Sequence, residues 1–181
     1  VKLPETRFSH PEDARWQVEQ AVSLYREIFG REQRGMWPSE GSVSEAILPL
    51  LAGQGIRWVA PDEEILRASL SEPESKSGEK ARLRGLDFHQ PWLVGESGRQ
   101  LGILFRDHAL SDRIGFVYSK WEPEKAAADF VKQLLELKKL LATRSEREPL
   151  VSIILDGENA WEYYRNDGVD FLRALYAQIE Q

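Results

Sequence analysis

Short aliphatic runs that stop at charged residues, each followed by a stretch of helical spacing, recur four times along this chain. The clearest is VSIILDGENAWE, residues 151–162. Val151, Ile153, Ile154 and Leu155 predict a short strand buried on both faces, as in parallel sheets covered by helices. The run ends at Asp156-Gly157-Glu158. In barrels of alternating strands and helices the active site lies at the carboxyl ends of the strands, which makes Asp156 a catalytic candidate. A loop aspartate before a turn glycine is the plain alternative at any one such site.

The other repeats follow in chain order. Ala14, Val18, Ala21, Val22 and Tyr25 predict a helix over 11–29, closed by Gly30. Residues 34–40, RGMWPSE, predict a strand running into a loop, with Glu40 between a strand end and a helix start and Trp37 close by. Ser42 and Glu45 have the spacing of a capping box for a helix over 43–54, closed by Gly55. IRWVA, 56–60, predicts a buried strand ending at Pro61-Asp62, and Asp62 is either the cap of a helix over 63–70 or a substrate contact. Residues 71–80 are polar and predict a flexible excursion. Strands over 86–94 and 101–105 flank the turn-rich 95–98 and predict a hairpin. The second strand ends at Arg106-Asp107-His108, where Arg106 and Asp107 either form a buried ion pair or bind substrate hydroxyls. His108 and Asp112 stand four apart on a short predicted helix. Residues 123–143 predict the longest helix, with an apolar stripe of Ala126, Phe130, Leu134, Leu135 and Leu137. Asn166-Asp167-Gly168 predicts a turn into a final helix over 169–181, which runs to the chain end and implies that the natural chain continues.

Composition narrows the function classes. The 181 residues are 41% hydrophobic, and 30 acidic against 24 basic residues give a charge of -6 without a basic stripe, which argues against nucleic acid as a partner. There is no cysteine, no membrane-length apolar run and no signal peptide, so a cytoplasmic protein without membrane contact is expected. Histidine occurs only at 10, 89 and 108, so neither a metal nor a cofactor is expected. Glycine-rich dinucleotide fingerprints, phosphate loops and nucleophile elbows are absent. Six tryptophans, at 16, 37, 58, 92, 121 and 161, offer platforms for flat ligands such as sugar rings, with core packing as the alternative.

Trp37-Pro38-Ser39-Glu40 and Asp156-Gly157-Glu158 lie within longer blocks, GMWPSEGSVSEAILPLL, FRDHALSDRIGF and ILDGENAWEYY. Together these strongly resemble glycoside hydrolase family 57, in its α-amylase and amylopullulanase branch. The resemblance implies an α/β fold: a distorted seven-stranded β/α barrel with parallel strands and flanking helices, of which this chain is the second half. It implies one partial catalytic domain over 1–181 with an insertion at 71–80. It also implies a retaining hydrolase of α-glucans, in which the W-x-x-E segment makes Glu40 the nucleophile and the D-G-E segment makes Asp156 the acid/base. The His-Gln-Pro segment and acidic motif that family members carry ahead of the nucleophile have no counterpart before Glu40; His89-Gln90-Pro91 follows it and is read as a chance match.

Retaining glycosidases need two carboxylates about 5 to 5.5 Å apart, one ionised to attack and one protonated to donate. Asp156 must therefore be held protonated at rest, by burial against an aromatic wall or by the charge of Glu40. Trp37 and Trp161 are candidates for that wall. Asp62, Arg106, Asp107, Asp112 and Glu158 are candidates for hydroxyl recognition, with structural ion pairing as the alternative for each. The expected partners are an α-glucan oligosaccharide or polysaccharide, and the remainder of the barrel or a second copy of the chain, because an incomplete barrel exposes two sheet edges. A 4-α-glucanotransferase or branching enzyme would use the same carboxylates. From another class, a non-catalytic carbohydrate-binding or regulatory barrel remnant is the alternative.

Overall fold

The computed structural model describes residues 10–71, 88–95, 100–143, 148–158 and 160–180. These hold four strands and six helices in a mixed α/β arrangement, divided into two compact units, Val1–Phe105 and Arg106–Gln181. Among the described residues no helix is long and apolar enough to cross a membrane.

The first unit opens with α1, Pro11–Phe29, where the sequence predicts it. Proline starts the helix, Glu12 and Asp13 complement its dipole, and Gly30 ends it in the left-handed conformation, its N–H bonded to the Arg26 carbonyl at 2.8 Å. Three parallel strands follow: β1 (Gly35–Met36), β2 (Trp58–Val59) and β4 (Leu101–Ile103). The predicted hairpin is present as β3 (Trp92–Val94) antiparallel to β4, which gives the sheet order β1-β2-β4-β3. Val22, Leu51, Ile56, Val59, Leu101 and Phe105 are among the buried residues of its core.

Two expectations in this unit are corrected. The helix predicted over 43–54 begins only at Leu48, as α2 (Leu48–Gly53), and Ser42 and Glu45 do not cap it. Pro49 is the reason: it has no N–H to give to the preceding turn and fits a helix only in its first turn. The 56–60 run pairs over two residues and is not buried throughout; Val59 is fully buried while Trp58 is 39% exposed. Trp58 lies directly across from Gly35 on one side and Gly102 on the other. A β-carbon at Gly35 would fall 2.1 Å from the indole ring, and one at Gly102 would lie 3.3 Å from the Trp58 β-carbon. The side chain thus occupies space that both glycines leave open. Asp62 caps α3 (Glu63–Ser71), accepting from the Glu64 N–H at 3.0 Å. Beyond Ser71 the expected excursion lies outside the described residues, as does most of the 95–98 link.

The second unit contains α4 (His108–Asp112), a π turn (Arg113–Val117), α5 (Pro123–Ala142), a 3-10 turn (Arg165–Gly168) and α6 (Val169–Ile179). α5 and α6 pack against each other, and Ala126 and Ala127 of α5 are fully buried. Tyr118, Phe130, Tyr164 and Phe171 fill the core, with ring centroids 5.6 to 6.2 Å apart in the packed pairs. Leu135, placed in the apolar stripe of α5 by the sequence, is half exposed: the buried seam runs Phe130, Leu134, Leu137, Leu141, and Leu135 is turned off it. The turn into α6 holds three consecutive left-handed residues, Asn166, Asp167 and Gly168. The strand predicted for Val151 to Leu155 is a half-buried extended segment with, among the described residues, one parallel bridge, Ser152 to Arg106. Both backbone groups of Ile154 are taken by side chains.

Burial pushes the Tyr118 and Tyr164 hydroxyls well above the ordinary tyrosine range; for Tyr118 the hydrogen bond to Asp129 and its negative charge add to the effect. Both are raised in the folded state, so their stabilisation is complete below about pH 10, where unfolded tyrosine titrates, and is lost as pH rises from there. Alkaline titration followed by circular dichroism should show helix loss beginning above about pH 10. Tyrosinate absorbance appearing at these residues before any helix is lost would contradict the assignment. Replacing Gly35 with Ala should displace the Trp58 ring, red-shift its fluorescence and cost about 1 to 3 kcal/mol in denaturant unfolding.

Candidate active site

In the first unit the site residues come from the carboxyl ends of β1 and β2. After Met36 the chain passes Trp37 and buried Pro38 into a single 3-10 turn, Ser39–Gly41, closed by bonds from Gly41 N–H to the Pro38 carbonyl (2.8 Å) and from Ser42 N–H to the Ser39 carbonyl (3.1 Å). Glu40 sits in this turn with φ 57° and ψ 22°, a left-handed conformation that a residue with a β-carbon adopts at a cost, and its side chain is exposed. Strain of this kind gathers at functional sites because packing elsewhere must enforce it. Here the enforcement is Gly41, itself at φ 64°, where an added β-carbon would lie 3.3 Å from both the Trp37 indole nitrogen and the Asp62 amide nitrogen. Trp37 and Asp62 therefore flank the turn that presents Glu40. Among the described residues the buried Trp37 indole N–H has no hydrogen-bond partner.

In the second unit Asp107 is buried and caps α4, its carboxylate accepting from the Leu110 N–H at 2.9 Å. Arg106 gives its Nε hydrogen to the Ile154 carbonyl at 2.9 Å and an Nη2 hydrogen to Asp112 at 2.6 Å. The other Asp112 oxygen lies 2.9 Å from His108 Nε2, so these two residues, four apart on α4, are in contact. Ser111, fully buried, accepts the Ile154 N–H at 3.2 Å. Asp156 follows two residues later, partly buried, its carbonyl accepting from the Ala160 N–H at 3.3 Å, while Glu158 is exposed. Trp161 is half-buried in the aromatic core: its ring meets Tyr164 edge-on at 5.3 Å and lies so close to Gly168 that a β-carbon there would be 2.4 Å away.

The structure thus groups Trp37, Glu40 and Asp62 in one unit, and Arg106, Asp107, Asp112 and the segment leading to Asp156 in the other. Ser111 was not singled out from the sequence, although it stands between the charged residues of FRDHALSDRIGF. Glu63 was also overlooked; it is buried and pairs with Arg67 at 2.8 Å. A mainly apolar cavity of about 760 Å³ in the first unit, lined by Val43, Leu48, Leu66, Trp92 and Phe105 among others, contains none of the candidate residues. Among the described residues no group of three or more His, Cys, Asp or Glu is placed to hold a metal ion.

A model of glycosyl hydrolase family 57 matches residues 4–181. Among solved structures, the chain is similar to 4-α-glucanotransferase from Thermococcus litoralis, with 19% sequence identity and a TM-score of 0.55 over 94% of this chain and 22% of that one. That likeness is one of fold, and the chain spans about a fifth of the length of that enzyme. No curated protein sequence matches it.

The strained turn makes a specific prediction. Glu40→Gly should stabilise the protein by about 1 kcal/mol relative to Glu40→Ala, because glycine alone adopts this conformation without steric cost. Equal denaturation midpoints for the two variants would show that the turn is not held against residue preference.

Proposed function

The chain belongs to glycosyl hydrolase family 57, and we propose on that premise that it carries the two catalytic carboxylates of a retaining enzyme acting on α-glucans. The observation that carries this reading is Glu40, presented in a strained turn at the carboxyl end of a parallel strand. The Glu40 carboxylate attacks the anomeric carbon, the glycosidic bond breaks, and Asp156 gives its proton to the departing sugar oxygen. Asp156, now ionised, takes a proton from water, which attacks the same carbon and releases Glu40. Trp37 supplies an apolar wall beside the nucleophile. Asp62 and Glu158 are the hydroxyl-recognition candidates of this scheme, and Trp161 its second aromatic surface. No cofactor takes part.

The same proposal treats residues 1–181 as one partial catalytic domain, the second half of a seven-stranded β/α barrel. The parallel β1, β2 and β4 and the parallel bridge from Arg106 to Ser152 support it. β1 and β3 are the edges of the described sheet, and the barrel is completed by further chain or by a second copy. A cytoplasmic location is part of the same proposal. A second reading is transfer of the glycosyl group to a sugar hydroxyl in place of water, favoured by the fold likeness to a 4-α-glucanotransferase; an amylase-like hydrolysis uses the same residues.

The test is mass spectrometry after incubation with a fluorinated α-glucosyl donor that traps glycosyl-enzymes, on the 181-residue chain and on any longer polypeptide that contains it. A covalent sugar is expected on Glu40 and absent from Glu40→Gln. Trapping on another residue would overturn the nucleophile assignment. Folded protein that neither traps the donor nor cleaves soluble α-glucan would favour a carbohydrate-binding remnant. Product analysis with a maltooligosaccharide separates hydrolysis from transfer.

A further inference from the structure

We propose that Arg106, braced by Asp112 and assisted by Ser111, is a positioning device that fixes the segment carrying Asp156. The proposal rests on reading Asp156 as the acid/base and assigns Arg106 and Asp112 a role other than contact with the sugar.

A strand that ends in a catalytic residue ordinarily owes its rigidity to ladder hydrogen bonds on both sides. Among the described residues, 151–155 have one bridge, yet the Ser152 carbonyl and both backbone groups of Ile154 are held. The Ser152 carbonyl accepts the Asp107 N–H at 2.9 Å, the Ile154 N–H goes to Ser111 Oγ at 3.2 Å, and the Ile154 carbonyl takes the Arg106 Nε hydrogen at 2.9 Å. All three partners come from the stretch Arg106 to Ser111 at the start of α4, which the buried carboxylate of Asp107 caps. Ile154 therefore has both its N–H and its carbonyl held by side chains, two residues before Asp156.

The orientation of Arg106 argues against a substrate role. Its side chain is 13% exposed, and the fork of the guanidinium spans the Ile154 carbonyl and the Asp112 carboxylate. Asp112 in turn divides its two oxygens between Arg106 and His108. A planar guanidinium can serve these two acceptors at a fixed angle, which a lysine ammonium cannot. A displacement of about 1 Å at a catalytic group is enough to lower turnover on the order of a hundredfold, so a rigid arm at Ile154 has a direct consequence for proton donation.

The experiment combines amide exchange with kinetics on Arg106→Met and, because that variant leaves Asp112 without its guanidinium, on Ser111→Ala. The reporter is the Ala160 amide, whose acceptor is the Asp156 carbonyl. Its exchange should be faster by about tenfold or more in Arg106→Met and by less in Ser111→Ala, with α5 and α6 protection retained. On α-glucan, kcat should fall about a hundredfold with KM unchanged. On an aryl α-glucoside whose acidic phenol needs little protonation, it should fall less than about tenfold. Unchanged Ala160 exchange in both variants would overturn the proposal. So would faster exchange accompanied by equal losses on the two substrates, since the segment would then not serve proton donation. A folded wild type that turns over neither substrate would remove the enzymatic reading itself; an active wild type with unaltered exchange in the variants removes only the positioning role.

Discussion

One guanidinium ties the extended segment before Asp156 to the helices of its unit. A charged group drawn largely out of water is tolerated only when its hydrogens are matched and its charge is opposed. Asp112 opposes the Arg106 charge and the Ile154 carbonyl takes one of its hydrogens. Within the apolar run VSIIL, Ile154 thus gives both its backbone groups to side chains, where a strand would give them to a neighbouring strand. The same constraint explains the tight charged cluster in FRDHALSD. Asp107 shapes the helix start, Arg106 holds the neighbouring segment, Asp112 opposes Arg106, and Ser111 completes the grip.

The two candidate carboxylates are held by different physical means. At Glu40 the backbone itself is forced, by a turn in which buried Pro38, the Gly41 contacts and the Asp62 turn leave one path for the chain. At Asp156 the backbone upstream is pinned by hydrogen bonds and an ion pair. Torsional strain is indifferent to salt and pH, whereas the bonds of the second arrangement depend on charge.

Much of the fold was legible in residue patterns, and the failures share a cause. α1, α3, the β3–β4 hairpin, the long α5 and the Asn166-Asp167-Gly168 turn follow from apolar spacing, end signals and turn residues. The start of α2 was misplaced because the Ser42–Glu45 spacing was weighed without Pro49, whose local effect prevails. Trp58 and residues 151–155 were read as buried because hydrophobicity says nothing of which neighbours exist; glycines across the sheet and side chains from α4 decided both. Strand ends and family resemblance single out Glu40 and Asp156 as candidates, and the capping alternative given for Asp62 is present in its bond from the Glu64 N–H. The left-handed turn at Glu40 and the contribution of Ser111 arise from torsion and distant contact, which leave little trace in a linear pattern.

Trp58 ties three residues that lie far apart in the chain into one heritable element. Gly35 keeps clear the space of the indole on one neighbouring strand, and Gly102 lies against the Trp58 β-carbon on the other. A change on β1 is therefore conditional on position 58: a side chain gained there fits only if the tryptophan has first become small. Among descendants of this chain these positions should drift as a linked set, with most single steps closed and the open route passing through a reduced residue at 58.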